Sequence, residues 1–143
     1  MSDQLNPIHC VLGNLQQVAR AVSRVYAKEM RSCGVKRSQF NILAFLMNAE
    51  TITLSDFAER LFMDRTTLSR NLTPLVKSGY VSVIPSASDA RVREISLTKK
   101  GIKKFREALG LWRNAQKKLL RMYGKENWRK LEISLHTLRD LVA

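Results

Sequence analysis

Several things are scarce in this chain, and each scarcity closes a class of function. There are two cysteines, Cys10 and Cys33, too few for a disulfide framework. The two histidines, His9 and His136, stand at no recognised zinc spacing with them, so no metal is expected. Three prolines and six glycines leave little room for linkers and predict mostly regular structure. No apolar run has the length of a membrane span, and the N-terminus lacks a signal-peptide pattern, so the expected location is cytoplasmic and no membrane partner is expected. A nucleophile–base pair, a carboxylate pair and a phosphate-cradling glycine loop are all missing. The chain is therefore not expected to be an enzyme or to carry a cofactor. Acids are scarce too: 12 Asp and Glu face 25 Lys and Arg, a net charge of +13. Such an excess favours polyanionic partners, although it says nothing of fold.

The excess is uneven. Residues 38–97 hold six basic and six acidic residues, while 1–37 hold six and two, and 98–143 hold thirteen and four. Within the neutral middle lies DRTTLSRNLTPLVKSG, residues 64–79. Asp64 stands where a helix N-cap belongs. Leu68, Leu72, Leu75 and Val76 recur at helical spacing and would face a core. Arg65, Thr66, Thr67, Ser69, Arg70 and Thr73 supply the polar side, which carries no acid after Asp64. Arg can grip a guanine edge with two hydrogen bonds, and Ser and Thr can reach phosphates or base edges, so this face suits a major groove.

The flanking chain places that helix. Apolar residues from Ile8 to Met30 predict a helix over residues 8–32, begun by Pro7 and ended by Gly34. Ser38 is expected to cap a short buried helix. Ile52 could begin a pairing strand, and Thr53 opens the next helix. After a turn at 62–64 comes the polar-faced helix, completing a helix-turn-helix. YVSVI (80–84) and REISL (93–97) read as strands of a hairpin, a wing, around the turn cluster PSASDAR. Thr98 caps a helix of roughly 25 residues, Gly124 breaks it, and a last helix carries Trp128, Leu131, Leu135, Leu138 and Val142. Stripes on such terminal helices exceed what one small domain can bury, which predicts a helical homodimer. The fold class is thus mainly α with a small β-hairpin wing. Residues 1–37 and 98–143 are the dimerisation helices, and 38–97 the DNA-binding lobe. Pro74, inside the recognition helix, predicts a kink or an opened turn near residues 70–74.

In this order of elements, and in LSDFAERLFMDRTTLSRNLTPLVKSGYV and DARVREISLTKKG, the chain resembles the MarR family of bacterial transcriptional regulators. The resemblance implies a base-reading role for Arg70 and a wing-tip role for Arg91. Asp89 and Arg93 flank that arginine. A guanidinium at a wing tip fits a narrow, electronegative minor groove, and Asp89 could fix its rotamer. Lys99, Lys100, Lys103 and Lys104 follow the wing and could reach phosphates. The implied partner is double-stranded DNA bearing a pseudo-palindromic operator.

Two kinds of signal could act on such a regulator. The resemblance implies a small aromatic acid between the dimer helices and the lobe, with His9, Arg20, Tyr26 and Trp112 of suitable chemistry, besides Asn14 and Arg113. It would release a repressor. Cys10, beside His9 at the start of a helix, has instead the setting of an oxidant-sensitive thiol, which would make a redox-sensing repressor. Cys33 is roughly 35 Å away along the helix, excluding an intrachain disulfide. A rival outside operator recognition is a sequence-tolerant nucleic-acid-binding winged helix driven by the +13 charge.

Overall fold

A computed structural model describes residues 3–143. Six helices and a three-stranded sheet follow one another as α1 (Val11–Met30), α2 (Arg37–Asn48), β1 (Ile52–Thr53), α3 (Leu54–Arg60), α4 (Arg65–Lys77), β2 (Val81–Pro85), β3 (Arg93–Leu97), α5 (Lys99–Tyr123) and α6 (Lys125–Val142). The expected class, mainly helical with a β-hairpin wing, is the one observed. No described helix is long and apolar enough to cross a membrane.

The first helix is shorter than its apolar pattern predicts. A 3-10 turn at Pro7–His9 comes first, capped by the Asn6 side chain, which accepts from the Ile8 N–H at 3.1 Å. Cys10 then turns extended and becomes the N-cap of α1, its Sγ accepting from the Gly13 N–H at 3.4 Å. A further 3-10 turn, Arg31–Cys33, ends at Gly34 with φ 70°, the left-handed conformation expected of it. The second helix also starts earlier than Ser38. Lys36 is its N-cap, and its N–H donates to the Gln39 side chain at 3.0 Å.

Ile52 does begin a strand. It pairs antiparallel with Ile95, so β3 lies between β1 and β2, and Val83 stands opposite Ile95 on the other side. Ile95 is fully buried there, with Phe57 of α3, Leu68 of α4 and Leu43 of α2 around one core. Each such side chain contributes about 1.5–3 kcal/mol relative to exposure. That core seats α4 on α2 and α3 through Leu68, Leu72 and Leu75. Val76, expected inside, is 41% exposed, because it lies past the edge of the stripe these leucines define.

Pro74 does not open a turn. Helix α4 runs without interruption from Arg65 to Lys77. The proline sits in the last turn, exposed, and removes one backbone donor there. Buried Leu72 and Leu75 hold the chain on both sides of it.

Helix α5 is locked to the end of α4 at one point. Thr98 caps α5, its hydroxyl accepting from the Gly101 N–H at 3.0 Å and donating to the Gly79 carbonyl at 2.6 Å. Gly101 is buried against the Tyr80 backbone, and a Cβ there would sit inside contact distance of the Tyr80 carbonyl oxygen.

Candidate nucleic-acid interface

The polar side of α4 separates into groups with internal work and groups without. Asp64 is the N-cap as expected: Oδ1 accepts from the Thr67 N–H at 2.8 Å and Oδ2 from the Thr67 hydroxyl at 2.6 Å. The Thr67 hydroxyl bond, foremost, and the backbone bond hold the Asp64 carboxyl below its ordinary pKa. The Thr73 hydroxyl donates back to the Ser69 carbonyl at 2.8 Å. The guanidinium of Arg65 donates to the hydroxyl of Ser55 in α3, which ties the two helices of the motif together. Thr66, Ser69 and Arg70 are exposed on the same face, and among the described residues their side chains have no partner. Of the six positions predicted to meet a major groove, these three are free to do so. Thr67, half-buried, is occupied by the cap.

The turn between α3 and α4 holds a residue that spacing could not single out. Phe62 has φ 51°, rare for a bulky side chain, and is 65% exposed. The Arg139 guanidinium of α6 lies over its ring at 5.9 Å from the centroid.

The wing differs from its expected wiring. Asp89 accepts the Arg91 backbone N–H at 2.9 Å instead of pairing with a guanidinium. The Val92 N–H donates to the Asp89 carbonyl at 3.0 Å, and the Ser86 N–H to the Val92 carbonyl at 2.8 Å. Asp89 therefore shapes the tip, leaving Arg91 and Arg93 exposed and unpaired among the described residues. The lysines after the wing also divide. Lys100 donates to the Ser78 carbonyl at 2.8 Å and lies over the Tyr80 ring. Lys104 is paired with Glu107 at 2.9 Å, and that bond raises its pKa. Lys99 and Lys103 stay exposed.

The predicted effector residues are not gathered into one site. Tyr26 and Trp112 do meet, with ring centroids 6.3 Å apart, and the Tyr26 hydroxyl bonds to Gln116. Burial raises the Tyr26 pKa. Trp112 stacks in turn on Phe40. His9 and Cys10 are exposed at the opposite end of α1, about 24 Å from Tyr26 at helical rise, and Arg20 is exposed between them. His9 lies 3.4 Å from Asp3. Two surface hollows do not involve these residues: one lies against β1 and α3, the other on α5 beside Lys117 and Arg121. Among the described residues, no group of three or more His, Cys, Asp or Glu is placed to hold a metal ion.

A helix pair packed through Leu68 and Phe57, with a polar outer face and a hairpin with exposed arginines after it, defines a winged helix-turn-helix protein. Comparison with known proteins agrees. A family model described as MarR family matches residues 34–92. The crystal structure of the M. tuberculosis transcriptional regulator MOSR in complex with DNA is 31% identical, covers 93% of this chain and 96% of its own, and superposes with a TM-score of 0.83. The HTH-type transcriptional regulator SarZ of Staphylococcus haemolyticus is 28% identical over 88 residues, 62% of this chain and 60% of SarZ. PrsX of Escherichia coli, another HTH-type transcriptional regulator, is 35% identical over 71 residues, 48% of this chain and 43% of PrsX. This chain thus spans less than two thirds of the length of these two curated relatives. The chain belongs to the MarR family of DNA-binding transcriptional regulators.

Proposed function

We propose that this chain acts as a homodimeric, sequence-specific repressor of transcription on double-stranded DNA, with residues 38–97 as the DNA-binding lobe and residues 1–37 and 98–143 forming the dimer. Thr66, Ser69 and Arg70 of each subunit read a major groove, and Arg91 enters the flanking minor groove. The observation that carries this reading is the unpartnered, acid-free set on α4. Side chains with no bond to make inside the chain are free to bond bases. The dimer reading is supported by Ile8, Val11, Leu12, Leu15 and Val18, an apolar face that is exposed in the single chain. A twofold dimer would read a pseudo-palindrome with half-sites about one helical turn apart. A competition assay tests the reading against a sequence-tolerant binder. Random duplex in large excess should fail to displace the protein from a selected site at physiological salt, whereas equal competition would sink sequence specificity.

Release by a small aromatic acid is supported by the Tyr26–Trp112–Phe40 stack between α1, α2 and α5, an apolar floor with a phenol at its edge. Titrating the DNA complex with benzoate tests it. Dissociation that Trp112→Ala abolishes is expected, and binding indifferent to benzoate and related acids contradicts it. An oxidative signal has one specific support, the exposed thiol of Cys10 at the α1 N-cap, against a buried Cys33 whose thiol donates to the Met30 carbonyl. Peroxide sensitivity of DNA binding should then vanish in Cys10→Ser.

A further inference from the structure

Helix α5 carries more positive charge than the lobe, and the charge is sorted. Three of its lysines already have partners: Lys100 the Ser78 carbonyl, Lys104 Glu107 and the Cys33 carbonyl, and Lys118 Glu29 of α1 at 3.5 Å. Lys99, Lys103, Arg106, Arg113, Lys117 and Arg121 are exposed, and among the described residues none has an acidic partner within 4.0 Å. Their spacing keeps them on one stripe, because steps of three, four and seven residues return to the same helix face. The stripe starts at the wing and runs 22 residues, roughly 33 Å, about one turn of a DNA duplex. Gly110 falls on the stripe in the gap between Arg106 and Arg113. It is exposed, and a Cβ built there meets nothing within 4 Å, so packing does not explain a glycine in a helix interior. It leaves a window where another backbone can lie close to the helix.

We propose that this stripe of α5 is a second nucleic-acid surface, a ladder of cations that holds the phosphates of duplex DNA beyond the contacts of α4 and the wing. It rests on the reading of this chain as a duplex-binding protein. Three observations favour that occupant. The stripe begins at the base of the wing, directly after β3 and Thr98, so it is continuous in the chain with the element that carries Arg91 and Arg93. Single-stranded binders interleave aromatic platforms with their cations, whereas Phe105 and Trp112 point to the opposite, packed face of α5. A second copy of this chain is excluded as occupant, because a row of like charges set against its own copy repels it. The dimer is left to the apolar faces of the terminal helices, such as Val11, Leu12, Leu15 and Val18 of α1 and Ile133 and Leu141 of α6. Adjacent cations lie close enough for each to hold a separate phosphate, with the corresponding release of counterions.

The test uses the triple variant Arg113→Gln/Lys117→Gln/Arg121→Gln, which lies far from α4 and the wing. Binding of the full chain to a random-sequence duplex of about 40 base pairs is followed between about 50 and 200 mM salt. The proposal predicts a salt slope shallower than wild type by about 2–3 per subunit, since each phosphate contact adds about 0.9. The charge-conserving variant Arg113→Lys/Lys117→Arg/Arg121→Lys should keep the wild-type slope, and both should melt like wild type. A triple variant with unchanged slope and affinity overturns the stripe while leaving the lobe reading intact. Equal slope loss on a single-stranded probe bound as tightly as the duplex overturns duplex as the occupant. Arg70→Ala/Arg91→Ala separates the two readings: if it binds selected and random duplex as wild type does while the stripe variant loses its slope, the lobe assignment fails and the stripe stands.

Discussion

The hydroxyls and guanidinia of α4 look alike in sequence and differ in what they are bonded to. Thr67 is held by Asp64, Thr73 by the Ser69 carbonyl and Arg65 by Ser55, whereas the side chains of Thr66, Ser69 and Arg70 have no partner among the described residues. Periodicity assigns all six to one side of a helix, but it cannot tell which side chains fold back on their own chain. The same limit applies to Asp89, whose Asp-x-Arg spacing suits an ion pair as well as the backbone bond it makes. Caps were more readable: Thr53, Asp64 and Thr98 each accept the N–H three residues on. Ser38 is not the cap because the neighbouring Gln39 closes the helix start two residues earlier, on Lys36. One residue prediction concerns Asp64. Its folded pKa is depressed, so its stabilising effect is present above the ordinary carboxylate pKa and is lost as pH falls through the folded value. Asp64→Ala should lower the melting temperature at neutral pH, and the difference from wild type should narrow on acidification. Thermal melts of both proteins across the acid range check this; a constant difference would contradict it.

At the scale of elements, the order of helices and strands was legible because each carries its own period: three to four in α2, α3, α4, α5 and α6, two in β3. The boundaries of α1 were not. Its apolar stripe continues through residues 8–10, yet the Asn6 cap makes a separate turn and Cys10 restarts the helix. The turn expected to open at Pro74 stays closed for a related reason. A single missing donor in the last turn, flanked by two buried leucines, is too small a fault to open a packed helix. The Leu-Thr-x-x-Gly run after the wing has a structural explanation in Gly101, where α5 crosses the Tyr80 backbone. Gly101→Ala should cost about 1–3 kcal/mol by forcing the two apart. Urea denaturation would measure it, with an unchanged midpoint as the contrary result. Gly110→Ala is the counter-case: with open space at that position it should stabilise α5 by about 0.5–1 kcal/mol in the same assay.

For the molecule as a whole, the uneven charge is the feature that composition reveals and structure explains. The lobe of residues 38–97 is neutral in sum, so on the proposed reading it meets DNA through the placement of Arg70, Arg91 and Arg93 and not through net charge, which the terminal helices carry. What a single chain could not reveal in its sequence was how the effector candidates would be distributed, since α1 separates His9 and Cys10 from Tyr26 and Trp112 by most of its length. The exposed α1 face makes a prediction at this scale. Leu12→Glu, at a site 62% exposed in the isolated chain, should shift the protein from dimer to monomer in sedimentation without unfolding it. A variant that remains dimeric would move the interface elsewhere.

The central claim is that the free face of α4 reads sequence, and selection of duplexes from a random library by wild type and by Arg70→Ala tests it most directly. Wild type should enrich a pseudo-palindrome with half-sites about one helical turn apart, and Arg70→Ala should lose the preference at the same position of each half-site while keeping the rest. Enrichment of no motif by wild type, or of an identical motif by both proteins, would contradict it.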